Sequence, residues 1–242
     1  MKYMGSKRRI ASDILDVMMH YYKDDNPKFV DVFCGGCNLL EHVPANWKRI
    51  ANDNNIFLIH MWFAITNNVV ADLPKRIEKD LYSDVRRAWH KGDVSMYPIY
   101  LQGWVGFMAS YNGRFFDGGY SGHNANGRDY IEEQINNTLK QVDKLRNVVW
   151  CAGDYSELSP LPKHSLIYCD PPYNGTKEYS TSVGFDYDKF YDWCRVKKQE
   201  GHEIFVSEYN MPSDFDCVWE KQVTNAMNQH KTYKPIERLF KL

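Results

Sequence analysis

Two rhythms of hydrophobic and polar positions alternate along the chain. Short apolar runs at 29–33, 49–51, 148–151, 166–169 and 203–207 are rich in β-formers and closed by Gly, Asn, Asp or Pro, so each reads as a buried strand. Between them the period lengthens. Ile10, Ile14, Leu15, Val17 and Met18 line one side of a helix expected over 7–22, with Ser6 as its cap and Asp25-Asn26-Pro27 as its stop. A short helix is expected from Leu39 to just before Pro44. Longer ones are expected over 56–67 and 187–199, the latter ended by Gly201. The segments 217–223 and 236–242 are expected to pair as an antiparallel hairpin. Strand, glycine turn, helix, strand and acid over 29–53 form a βαβ unit, which makes the chain α/β with a mostly parallel sheet.

From about 72 to 146 the rhythm changes. Residues 73–91 are charged and amphipathic, 97–108 are aromatic-rich, 109–122 are dense in Gly, Asn and aromatics and read as a loop or hairpin, and 129–146 return to a helical pattern. The expected organisation is a sheet domain formed by 1–71 and 147–242, with 72–146 inserted as a small, mainly helical subdomain.

Composition narrows the class. A chain of 242 residues with 43% hydrophobic positions can bury a sizeable core. Net charge is −1, so no global basic field advertises nucleic acid, but basic residues cluster at Lys7-Arg8-Arg9, at Arg86-Arg87 with Lys91, at Lys140, Lys144 and Arg146, and at Arg195 with Lys197-Lys198. Each cluster alone reads equally as a solvated helix face. The first residues are charged and form no apolar run, and the longest apolar run, 56–65, is broken by His60, so neither a signal peptide nor a membrane span is expected. The six cysteines are scattered, which suits reduced thiols and a cytoplasmic location. Cys34 and Cys37 have no second pair and the histidines no metal-ligand spacing, so no metal is expected.

The chemistry gathers at strand ends. Asp170-Pro171-Pro172-Tyr173 closes the strand at 166–169; the prolines stiffen the turn and hold one acceptor and one flat ring where open α/β sheets place ligands. Gly35 and Gly36 follow the first strand and let backbone approach a ligand. Asp53 lies 18 residues beyond Gly35 at the end of the second strand, near the spacing at which an acid takes ribose hydroxyls. Asp154 ends a third strand and points to the same crevice, or caps a turn. Lys7 is a solvated cation or reaches an anionic ligand group.

These residues, in this order, resemble the Dam-like adenine-N6 DNA methyltransferases of the D12 class. Residues 2–7, with Tyr3 and Lys7, resemble the family's N-terminal motif near the methionine part of S-adenosylmethionine. Asp31, Phe33, Gly35 and Gly36 resemble its cofactor loop, in which Cys37 replaces the second glycine, so that the flexible position is expected to shift to Gly36. Asp53 falls at the ribose acid, Asp154 with Tyr155 at the adenine contact, and 111–114, with Asn112 and Arg114, at part of the target-recognition region. Asp170, Pro171, Pro172 and Tyr173 match the catalytic motif. The resemblance implies a Rossmann-like S-adenosylmethionine-dependent methyltransferase sheet with an inserted target-recognition subdomain. It also implies S-adenosylmethionine as cofactor, double-stranded DNA as partner, and transfer of a methyl group to the N6 amine of an extruded adenine. Arg86, Arg87, Asn112 and Arg114 are the expected DNA contacts, because Asn and Arg read adenine and guanine edges bidentately; Asn112-Gly113 is equally a plain tight turn. An N4-cytosine methyltransferase, or a non-catalytic DNA- or nucleotide-binding module of the same fold, are the alternatives.

Overall fold

The computed structural model describes residues 1–68, 73–122, 127–174, 184–223 and 235–242. Among the described residues seven strands form one sheet: β1 (Lys28–Asp31), β2 (Lys48–Asp53), β3 (Val148–Ala152), β4 (Leu166–Cys169), β5 (Glu203–Glu208), β6 (Asp216–Gln222) and β7 (Ile236–Lys241). Their order is β3-β2-β1-β4-β5-β7-β6. The first five are parallel, while β7 runs antiparallel to both β5 and β6. β1 pairs with β2 on one side and β4 on the other, so the chain order reverses there. Open α/β sheets bind ligands at such a switch point, beyond the carboxyl ends of the strands. The motifs after β1 and β4 flank it.

The strand residues divide by their period of two. Phe29, Ala51, Leu166, Tyr168 and Phe205 face a core completed by helices α1 (Ala11–Tyr21), α2 (Ile56–Thr66), α4 (Ile99–Ala109) and α5 (Tyr130–Val142). Val30, Ile50, Ile167, Cys169, Ile204 and Val206 face the other way, onto Phe190, Trp193 and Cys194 of α6 (Tyr187–Gln199). Helices on both faces explain why these strands read as continuous apolar runs. All six cysteines are free. No helix among the described residues is long and apolar enough to cross a membrane.

Several boundaries differ from expectation. The first helix starts at Ala11, not residue 7, and Ser6 does not cap it: the Ser6 Oγ accepts only from the Arg8 amide, at 3.3 Å. Residues 4–10 turn instead toward the sheet, which carries Lys7 inward. The helix after Leu39 is a single 3-10 turn, Leu40–His42. Only Lys79–His90 (α3) of the amphipathic stretch 73–91 is helical. All of the aromatic-rich 97–108 from Ile99 on lies in α4, which is buried on nearly every side. A helix apolar all round shows no amphipathic period, and burial of this kind is its ordinary fate. The loop after it closes with an antiparallel bridge between Ser110 and Tyr120.

α4 and α5 lie within the stretch expected as an insertion, yet they share one hydrophobic core with the sheet and α1. Arg49 ties the end of that stretch to β2: its buried guanidinium donates to the carbonyls of Lys144 and Arg146, both at 2.6 Å.

Candidate active site

The residues 2–7 run across the switch point. Tyr3 lies against the turn after β1. A Cβ on Gly35 would fall 2.6 Å from the Tyr3 ring, and one on Gly36 2.7 Å from Tyr3 Cβ. The two glycines therefore admit Tyr3. Gly35 also needs its left-handed backbone, φ +46°; Gly36 does not, and the second left-handed residue is Cys37, φ 54°. The flexible position has not shifted. Cys37 takes up the conformation that a glycine would hold more cheaply, and its buried side chain remains in the core.

Asp53, at the end of β2, fastens this turn. Its Oδ2 accepts from the Gly35 amide at 3.0 Å and its Oδ1 from the Asn55 amide at 2.9 Å. Burial raises its carboxyl while those two amides pull it back. Asp53→Ala is expected to cost about 3 kcal/mol, since bonds to a charged acceptor are worth roughly 1.5–3 kcal/mol each. Chemical denaturation checks this. A loss under about 1 kcal/mol would remove Asp53 from that role.

Asp31, at the end of β1, is 2% exposed, and its Oδ1 has no hydrogen-bond partner among the described residues. Burial holds its carboxyl well above the usual range, with Asp170 and Asp53 adding to the effect. An orphaned buried acceptor is costly, and a donor or cation brought by a ligand would relieve it.

Asp170 follows β4. The Lys7 Nζ stands 3.0 Å from its Oδ1, a close ion pair. Burial pushes the Asp170 carboxyl up to about 6, against the pull of Lys7. Lys7 is itself buried. Desolvation would lower its ammonium, but Asp170 and Glu237 outweigh that and raise it. Its Nζ also lies 4.6 Å from the centre of the Tyr173 ring, a cation–π contact that covers one ring face. The Tyr173 hydroxyl donates to Glu237 Oε2 at 2.8 Å, and the Tyr209 ring meets Tyr173 edge-on at 4.7 Å. Glu208, ending β5, accepts from the amides of Asn174 (2.9 Å) and Tyr209 (2.6 Å), and burial raises its carboxyl to about 7.

The structure thus gathers Tyr3, Lys7, Asp31, Gly35, Gly36, Asp53, Asp170 and Tyr173 beyond the strand ends, with Pro171 and Pro172 in the turn. Others lie apart. Phe33 and Tyr155, rings 5.7 Å apart, join Phe185 and Phe190 on the α6 side. Asp154 is exposed and caps a turn, accepting from the Ser156 amide at 2.9 Å. Arg86 and Arg87 are exposed on α3, one bonded to the Phe116 carbonyl (3.1 Å), the other paired with Asp84 (3.1 Å). Asn112 is exposed with φ 55°. Arg114 reaches Asp117 at 3.5 Å, while its Nε is buried without a hydrogen bond.

Sequence reading missed Glu208, Tyr209 and Glu237. Glu208 carries the same signal as Asp53 and Asp170, an acid closing an apolar strand. Glu237 has none, because β7 enters the site from the end of the chain.

Residues 3–238 match the D12 class N6 adenine-specific DNA methyltransferase family. The chain belongs to that family. Among its relatives are the type II methyltransferase M.FokI of Planomicrobium okeanokoites, 26% identical over 216 residues (82% of this chain, 32% of that protein), and the retron Ec67 DNA adenine methylase of Escherichia coli, 24% identical over 228 residues (86% and 75%). The StsI modification methylase of Streptococcus sanguinis is 30% identical over 189 residues (72% and 28%). The match thus takes in about a third of the length of M.FokI and less of StsI. Among solved structures, SMU.472, a putative methyltransferase complexed with SAH, aligns over 98% of this chain and 52% of its own, at 13% identity and TM-score 0.42.

Proposed function

We propose that this D12 family member transfers a methyl group from S-adenosylmethionine to the N6 amine of adenine in double-stranded DNA. The observation that carries the proposal is the gathering of acids beyond the strand ends, Asp31, Asp53, Asp170 and Glu208, with the Asp31 Oδ1 buried and without a hydrogen-bond partner among the described residues. Acids held this way suit a ligand that brings positive charge, and S-adenosylmethionine carries both a sulfonium and an ammonium. Asp31, with its orphaned oxygen, would hold the ammonium end beside Tyr3 and Lys7. Asp53 and the Gly35-Gly36 turn would hold the ribose, and Phe33, Asp154 and Tyr155 the adenine side. The bound cofactor supplies an electrophilic methyl group, and the protein supplies placement and charge.

The amine of adenine is a poor nucleophile because its lone pair is delocalised into the ring. Asp170 and the Pro171 carbonyl accept its hydrogens, which favours a pyramidal nitrogen and stabilises the charge that develops on it. Placement contributes up to about 7–11 kcal/mol. Extrusion of the base costs a few kcal/mol. Stacking on the Tyr173 ring returns roughly 1–3 kcal/mol. These nearly cancel, so phosphate contacts must supply the remainder.

The test is transfer of labelled methyl to unmethylated DNA, followed by nucleoside analysis. N6-methyladenine, lost in Asp170→Ala, is the expected product. N4-methylcytosine, or cofactor binding with no methylated base, would refute the assignment. For Arg114, placed beside the bridged loop, Arg114→Ala is expected to weaken DNA binding by about 1–3 kcal/mol and relax preference at one base position. Unchanged affinity and preference in a binding assay would remove it from base reading.

A further inference from the structure

We propose that Glu237, on β7, is a positioning residue for methyl transfer: it anchors the Tyr173 hydroxyl and shares the Lys7 ammonium with Asp170. The inference rests on the activity proposed above. Its basis is a three-way geometry. One Glu237 oxygen, Oε2, accepts from Tyr173 at 2.8 Å and lies 3.7 Å from Lys7 Nζ, which is itself 3.0 Å from Asp170 Oδ1. Lys7 and Glu237 are both largely shielded, with 7% and 15% side-chain exposure, so their charges are weakly screened. No part of this arrangement is local in sequence. Residues 7, 170–173 and 237 meet because β7 runs antiparallel beside β5 and delivers its second residue to the parallel strand ends.

The arrangement does two things at once. A hydroxyl bond at one end, an ammonium over the ring and the Tyr209 ring set against it at 83° leave the Tyr173 ring little freedom, so its orientation toward a stacked base is fixed. Sharing also tempers the pull of Lys7 on Asp170. An Asp170 paired with an undivided ammonium would be a weaker acceptor for the amine hydrogens. Glu237 therefore keeps the carboxylate basic. Among the described residues, the other titratable groups around Asp170 are Asp31 from β1, Tyr3 from the N-terminal segment, Tyr168 and Cys169 on β4, and Glu208 and Tyr209 at the end of β5; none is changed in the variants below.

Two substitutions separate the charge from the bond. Glu237→Gln keeps an acceptor for Tyr173 and removes the charge. Glu237→Asp keeps the charge and withdraws it from reach of the hydroxyl. Carbon-13 NMR of labelled aspartate carboxyls follows Asp170 directly, its signal identified by loss in Asp170→Asn. Methyl transfer to DNA is followed in parallel from pH 5 to 9. In Glu237→Gln the Asp170 midpoint is expected to fall by about one unit, as loss of a neighbouring charge commonly produces. The acid limb of kcat should move down with it, and kcat at neutral pH should fall about tenfold with KM for DNA within twofold. In Glu237→Asp the midpoint should stay near the wild-type value while kcat falls. An unchanged Asp170 midpoint in Glu237→Gln, with active wild type, overturns the inference alone, and so does wild-type kcat in Glu237→Asp should the Gln variant fail to fold. A shifted midpoint with no methyl transfer by wild type overturns the activity, and the catalytic role of Glu237 with it.

Discussion

Asp170→Asn is expected to lower kcat by about 10²–10³-fold, the loss typical when one preorganised group facing developing charge is removed, with cofactor binding changed only a few-fold. Asn keeps the shape and one acceptor oxygen but loses the charge that stabilises the methylated amine. Tyr173→Phe keeps the stacking ring and forfeits the hydroxyl's bonds, the one to Glu237 among them, so it should cost less. Rapid-quench measurement of a single turnover on both variants decides between them, and a larger loss for Tyr173→Phe would reverse the assignment. Stability should move the other way. The Asp170 carboxyl is raised from 3.8 to about 6 by burial, against the pull of Lys7. A folded value above the unfolded one means that the native state holds its proton longer. Stability from this group is therefore full below about pH 4 and falls as pH rises through about 6, by about 3 kcal/mol at most. Glu208, raised from 4.5 to about 7 by burial, slopes the same way, but in both proteins, so the difference isolates Asp170. Asp170→Asn should thus gain on wild type in denaturant titrations as pH rises from 4 to 7. Parallel curves would mean that the buried carboxylate is better compensated than its surroundings imply. Gain of stability with loss of turnover is the expected mark of a site held under strain for function.

The strand framework was legible because each strand is short, apolar and punctuated, and because helices cover both faces of the sheet. Asp53 and Asp170 followed from the same punctuation and close β2 and β4 as expected, whereas Asp31 was expected inside the run 29–33 and β1 ends on it instead. What the sequence hid falls into two kinds. α4 lacks a polar face, so no helical period marks it, and only packing against α2 and α5 reveals that it belongs to the central core. The ring of partners around Tyr173 depends on topology. Glu237 reaches the site only because the final hairpin inserts β7 between β5 and β6, a sheet order that local pattern does not encode. The glycine turn shows a third case. Gly35 and Gly36 look like room for a ligand, but the room holds Tyr3, and the left-handed position thought to have moved to Gly36 is occupied by Cys37.

Gly103→Ala is expected to be the most destabilising single-methyl change in the chain, costing about 3 kcal/mol or more and lowering Tm by about 6–12 °C for a domain of this size. A Cβ at Gly103 of α4 would stand 2.1 Å from the Phe57 carbonyl oxygen and 2.9 Å from its carbon, in the first turn of α2. Those atoms are backbone, so relief requires the helices to part. The gain in helix propensity, about 1 kcal/mol for Gly to Ala, is too small to offset this. Gly106, one turn on, is the natural control: its added Cβ would meet the Phe115 ring at 2.5 Å, and a side chain can turn aside where backbone cannot. Gly106→Ala should therefore cost clearly less. The strain at Gly103 also has a route to the site. Phe57 follows Asn55, whose amide bonds Asp53, which in turn holds the Gly35 amide. At its other end α4 runs into the loop that carries Asn112 and Arg114. Gly103→Ala should consequently weaken cofactor and DNA binding together in the fraction that remains folded, whereas Gly106→Ala, nearer the loop, should act mainly on DNA. Equal melting temperatures for the two variants would show that α2 and α4 are not locked at this crossing, and the link from the inserted helices to the glycine turn would fall with it.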